Sequence, residues 1–116
     1  MSKQVIVIRR DLWMPTGMQI QYGIQAALAA VLYEATAEAI NDWQLGGSKV
    51  EVYVAGAESL FEKLRLRAVR EGLPSKVITA KAGAVTPAPS AVAIAIGPGP
   101  VEVIDRSVDG LQRYSG

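Results

Sequence analysis

The order of two hydrophobic periods along the chain constrains its fold more than any other feature. Short apolar runs recur between stretches that carry helical spacing. "QVIVIR" (Gln4–Arg9) is an unbroken β-branched run and predicts a buried strand. "KVEVYVAG" alternates apolar and polar residues and predicts a second strand, "KVITA" a third, and "AVAIAIG" a fourth, small and apolar enough to be central. Pro15 and Gly17 punctuate a turn after the first strand. From Met18 to about Tyr33 the pattern is helical, and Ile20, Ile24, Ala27, Leu28 and Val31 predict one buried stripe. Thr36 to Trp43 predicts a second helix, or a continuation after a kink, ended at Leu45, Gly46 and Gly47. "AESLFEKLRLRAVREGLP" is amphipathic, with Leu60, Phe61, Leu64 and Ala68 inward and stop signals at Gly72 and Pro74. "KAGAVTPAPS" predicts a loop, and "PGPVEVIDRSVDGLQRY" a last helix with Pro100 in its first turn. Strands alternating with helices predict an α/β layered domain with partly parallel pairing. No repeat or boundary interrupts it, so one domain over residues 1–116 is expected.

Half of the residues are hydrophobic, enough for a core, and the formal charge is +1, too small for a single-sign field. There is no cysteine and no histidine, which excludes disulfides, thiolate nucleophiles, Cys/His zinc sites and a Ser-His-Asp triad. No cofactor or metal is called for. Acid–base work must come from Asp, Glu, Lys, Tyr, an amine or water. No apolar run reaches membrane-spanning length, and the start lacks a signal-peptide pattern, so a cytoplasmic protein without membrane contact is expected.

Met18, Tyr22, Gln25 and Ala29 share one helical stripe, which either packs on a neighbour or a dimer partner or forms a pocket wall. "IGPGP" predicts a structural turn, since its prolines offer no N–H to a phosphate. Lys63, Arg67 and Arg70 share a helix face; pairing with Glu58, Glu62 and Glu71 is the expectation, a tRNA contact the alternative. Asp11 follows a strand end, suited to capping or to proton handling, and Trp13 suits a pocket or an interface.

"KQVIVIRRDLWMPTGM", "GLPSKVITAKAG" and "AIGPGPVEVIDRSVDGLQRY" together resemble the archaeal/eukaryotic-type peptidyl-tRNA hydrolases from Lys3 to Tyr114. The resemblance implies a three-layer α/β/α fold, with a mixed four-stranded sheet and helices on both faces. It also implies a dimer and an enzyme that cleaves the ester between peptide and tRNA. The family's basic residue and aspartate before leucine correspond to Arg10 and Asp11, and both are kept. Its site lysine corresponds to Met18, the glutamine after it to Tyr22 and its histidine to Gln25. Its Asp-Ala-Gly-Arg-Thr loop best matches Lys81 to Val85, so the aspartate falls on Lys81, or without gaps on Ala80, and the threonine on Val85. Backbone amides around Gly83 would remain as oxyanion donors.

These substitutions point to three functions. The first is a repurposed enzyme acting on a small, largely apolar molecule by a cyclisation or isomerisation in a biosynthetic pathway. The second is an altered peptidyl-tRNA hydrolase. The third is a non-catalytic binding or regulatory protein. The expected pocket lies between the start of the first helix and the Lys81–Pro89 loop. Met18, Tyr22 and Gln25 form one wall, Asp11 and Trp13 stand near the mouth, Lys81, Val85 and Thr86 come from the loop, and Met14 is a further expected substrate contact. Tyr22 is assigned orientation or acid duty, and Asp11 that of a base or charge stabiliser.

Overall fold

The computed structural model describes residues 1–115. Its strands are β1 (Ser2–Arg9), β2 (Val50–Ala55), β3 (Ser75–Ala80), β4 (Ser90–Pro100) and β5 (Gln112–Arg113). Its helices are α1 (Thr16–Ala29), continued by a π-helical segment Ala30–Glu34, then α2 (Ala37–Leu45), α3 (Glu58–Arg70) and α4 (Val101–Ser107). The five strands form one mixed sheet in the order β3-β4-β1-β2-β5. β1 and β2 are parallel, and every other pairing is antiparallel. The architecture is the expected α/β/α sandwich, with one strand more than the sequence predicts. No helix among the described residues is long and apolar enough to cross a membrane.

Alternation along the two central strands builds the layers. Val5, Val7, Ile94 and Ile96 point to one face and pack with Phe61, Leu64 and Ala68 of α3 and Ile104 of α4. Ile6, Ile8, Ala93 and Ala95 point to the other, where Ala26 and Ala30 lie. The small residues of β4 face small residues of α1, which allows the helix to sit close to the sheet. An ideal Cβ on Gly23 would lie 3.5 Å from Ile8 and 3.6 Å from Ile6.

That close seat corrects the predicted stripe. Gly23, Ala26 and Ala30 are buried, whereas Ile20, Ile24 and Leu28 are 56%, 53% and 54% exposed. Bulk misled the periodic reading: the large apolar residues of α1 lie beside the contact, and the small ones make it. Thr36 caps α2, its Oγ1 accepting the Ala39 N–H at 3.1 Å. The expected last helix stops at Ser107. Gly110, at φ +87°, reverses the chain, and Gln112–Arg113 then pairs with β2. "IGPGP" is no turn but the end of β4, with Gly99 opposite Lys3. The acids around α3 also pair differently from expectation. Glu62 pairs with Arg65, Glu58 with Arg9 and Glu71 with Arg106.

An ion cluster centred on the buried Lys3 and Glu51 ties β1, β2, α4 and β5 together. Lys3 Nζ donates to Glu51 Oε1 at 2.6 Å and lies 2.5 Å from Asp105 Oδ1. Tyr53 Oη donates to Glu51 at 3.1 Å, and Arg113 lies 3.0 Å from its other oxygen. The Lys3 bond holds the Glu51 carboxyl down to about 2, against the upward push of burial. A carboxylate depressed on folding adds stability that is complete above its ordinary value of 4.5 and is lost as pH falls toward 2. Melting curves between those limits are therefore expected to steepen in their acid dependence. Glu51→Gln should flatten that limb, and an unchanged limb would contradict the coupling.

Candidate active site

The chain leaves the sheet where the two parallel strands end. Arg10 extends the ladder by donating its N–H to the Ala55 carbonyl at 3.0 Å. Residues 10–15 are then irregular until Pro15 opens α1. Met14 is buried and anchors this connection in the core, and Gln19 Nε2 donates to its carbonyl at 2.8 Å. α1 starts without a side-chain cap and without an acidic residue in its first turn. Its amino end therefore keeps its partial positive charge.

Arg9 is buried and organises the strand end. Nε and Nη2 donate to the two Asp11 carboxylate oxygens at 2.7 and 2.6 Å. Nη1 donates to the Ala91 carbonyl at 2.9 Å and lies 3.4 Å from Glu58. This two-point bond holds the Asp11 carboxyl below its ordinary range despite partial burial. Asp11 therefore stays ionised at neutral pH, which suits charge placement better than proton uptake.

Between this connection and β5 lies a cleft of about 540 Å³. Arg9, Arg10, Asp11, Trp13 and Met14 line one side, and Gln112, Arg113 and Tyr114 line the other. Arg10 donates to the Gln112 side chain and pairs with no carboxylate among the described residues. Arg113 sits over the Tyr53 ring, 5.3 Å from its centre. Of the three guanidinium groups that line the cleft, Arg9 is paired with Asp11 and Glu58 and Arg113 with Glu51, so Arg10 alone brings a positive charge with no carboxylate partner among the described residues.

The residues expected in one pocket divide into two places. Asp11, Trp13 and Met14 line the cleft. Met18, Tyr22 and Val85 are half-buried against the core cluster that holds Ala80 and Val92. Gln25 and Lys81 are exposed. Thr86 Oγ1 donates to the Ala88 carbonyl at 2.6 Å and lies 2.7 Å from Ser90 Oγ, so it fastens its own loop. The expected oxyanion donors are in use as well. Gly83 N–H donates to the Thr86 carbonyl at 2.7 Å, and Ala84 N–H to the Lys81 carbonyl at 3.1 Å.

A second depression, of about 290 Å³, is almost wholly apolar. It runs beside α1 between Ile20, Ile24 and Gly23 and the strand residues Ile6, Ile8 and Val52. Gln112, Arg113 and Tyr114 do not show as cleft residues in sequence, because "LQRY" continues the pattern that predicts the last helix. The Asp109-Gly110 pair, a turn signal, was the available clue.

The family model of peptidyl-tRNA hydrolase PTH2 matches residues 2–114. A peptidyl-tRNA hydrolase of Haloquadratum walsbyi is 37% identical, with 97% of this chain and 99% of that protein covered. One from Thermococcus sibiricus is 30% identical, with 95% of each covered. A probable peptidyl-tRNA hydrolase 2 of Schizosaccharomyces pombe is also 30% identical, over 97% of this chain and 56% of that protein. Among solved structures, a protein of unknown function from Agrobacterium tumefaciens aligns with a TM-score of 0.60 at 11% identity, over 98% of both chains. That likeness concerns the fold alone.

Proposed function

The chain belongs to the peptidyl-tRNA hydrolase PTH2 family, and from that premise we propose that it acts on peptidyl-tRNA as a slow, altered hydrolase of the peptide–tRNA ester. The cleft at the end of β1, where Arg10 stands, carries this reading. A cleft in which Arg10 has no carboxylate partner among the described residues suits a phosphate-bearing substrate. The match to peptidyl-tRNA hydrolases over nearly the whole chain favours this reading over the expectation of a small apolar substrate in a biosynthetic pathway. In the reaction, water attacks the ester carbonyl, the ribose oxygen leaves, and a carboxylic acid and a tRNA with a free terminal ribose result. Arg9 and Asp11 fix the strand end, and the uncapped start of α1 offers N–H groups to the developing oxyanion. Tyr22, half-buried along α1, and Lys81, exposed on its loop, stand outside the cleft and meet a substrate that extends past the start of α1, Tyr22 through its hydroxyl and Lys81 through its charge. Neither Met18 nor Val85 can take or give a proton, which accounts for slow turnover. On N-acetyl-aminoacyl-tRNA, Asp11→Asn and Tyr22→Phe are each expected to lower kcat/KM by about 10-fold. Folded variants with full turnover would place the site elsewhere.

The same reading includes a homodimer. Ile20, Ile24 and Leu28 form an exposed apolar row on α1, and Leu32 continues it after four more residues. The apolar depression lies beside that row. A second copy that laid its own row there would remove both from water. Ile24→Arg is expected to convert the dimer to monomer in light scattering at tens of micromolar. A wild-type monomer at that concentration would refute the arrangement.

A further inference from the structure

Trp13 has no explanation in the reaction or in the core. It is 85% exposed, yet it lies on the rim of a formed cleft. An exposed indole in contact with water gains little from burial within its own chain, so its position suits a flat partner. The connection that carries it is not loose. Arg10 is tied to Ala55 by a backbone bond, Met14 is buried, and Gln19 holds the Met14 carbonyl at 2.8 Å. The ring is thus presented from a braced segment. Beside it in the same cleft stands Arg10, whose guanidinium is held by a neutral side chain, Gln112, and by no carboxylate among the described residues. Across the cleft Arg113 supplies a second cation, partly shared with Glu51 at 3.0 Å.

An aromatic face beside an uncompensated guanidinium is the pairing that single-stranded nucleic acid requires. The base stacks, and the adjoining phosphate meets the cation. We infer that Trp13 and Arg10 form a nucleotide subsite, in which the unpaired 3′ end of the RNA stacks a base on Trp13 and places its phosphate against Arg10. This rests on the reading of the cleft as the seat of peptidyl-tRNA and assigns which part of that substrate these two residues hold. Trp13 and Arg10 are positioning residues; the ester lies toward the start of α1.

The test is binding of a short 5′-fluorescein-labelled RNA ending in CCA to the full chain, followed by anisotropy at several salt concentrations. Trp13→Ala is expected to weaken binding by about 10-fold, and Trp13→Phe to restore most of it. Arg10→Gln is expected to weaken binding and to lower the slope of log affinity against log salt by about 0.7, the value for one lost phosphate contact on a single strand. Two results overturn the subsite: unchanged affinity in folded Trp13→Ala, or an unchanged salt slope in Arg10→Gln. The two proposals fail separately. RNA binding that depends on Trp13, with no ester cleavage, would refute the hydrolase reading and leave the subsite standing. Ester cleavage indifferent to Trp13→Ala would do the reverse.

Discussion

Met18→Lys combined with Lys81→Asp is expected to raise the rate of peptidyl-tRNA cleavage by about 100-fold, the low end of what a placed acid–base group contributes. Both positions tolerate the change. Met18 lies in the first turns of α1, half-buried, and a lysine stem of similar length can follow the same path while its ammonium reaches solvent beyond the core. Lys81 is exposed at the start of the loop after β3, so its side chain contributes little to folding. A carboxylate there and an ammonium on α1 would give the site the two groups that the family resemblance assigns to these positions. Neither Met18→Lys alone nor Lys81→Asp alone should reach the same rate, because the groups act as a unit. A folded double variant no faster than the parent would mean that these positions do not face the ester.

Gly97→Ala is expected to be the most damaging single-methyl change in the chain, costing about 3 kcal/mol or more. Gly97 has φ +103°, a region that L side chains rarely adopt. The added Cβ would also stand 2.7 Å from the Lys3 carbonyl oxygen and 3.1 Å from Gln4 Cα. Those are backbone atoms of a central strand and cannot give way cheaply. Gly110→Ala is the control: its φ is +87°, but nothing lies near its Cβ. It should cost only about 1 kcal/mol, so the difference between the two melting temperatures isolates the clash. Equal losses would show that backbone conformation alone sets both.

The layered fold was legible because strands and helices carry different periods. Val5/Val7 against Ile6/Ile8 reads directly as two faces, and Phe61, Leu64 and Ala68 as an inward stripe. What was not legible followed from contact distance and chain reversal. Ile20, Ile24 and Leu28 look like core in sequence, and only the close seat of Gly23 and Ala26 on the sheet leaves them outside. The two-residue strand β5 is too short to carry a period of its own, and with it went Arg113 and Tyr114. The cleft was therefore half visible: Arg10, Asp11 and Trp13 come from one quoted stretch, while their opposite wall arrives from a hundred residues away. The pairing of Asp11 with Arg9 was unread as well. Residues two apart on an extended strand end project to the same side and can bond side by side, but a sequence with Arg9 and Arg10 adjacent does not say which of the two arginines Asp11 meets.

Single-turnover cleavage of N-acetyl-aminoacyl-tRNA, with the protein in excess and the products identified by mass, tests the central claim most directly. Slow release of the free N-acetylated amino acid and intact tRNA is expected, at a rate proportional to protein, reduced by added salt and reduced again in Arg10→Gln. Release no faster than spontaneous ester hydrolysis, or a rate indifferent to both salt and Arg10→Gln, would contradict it.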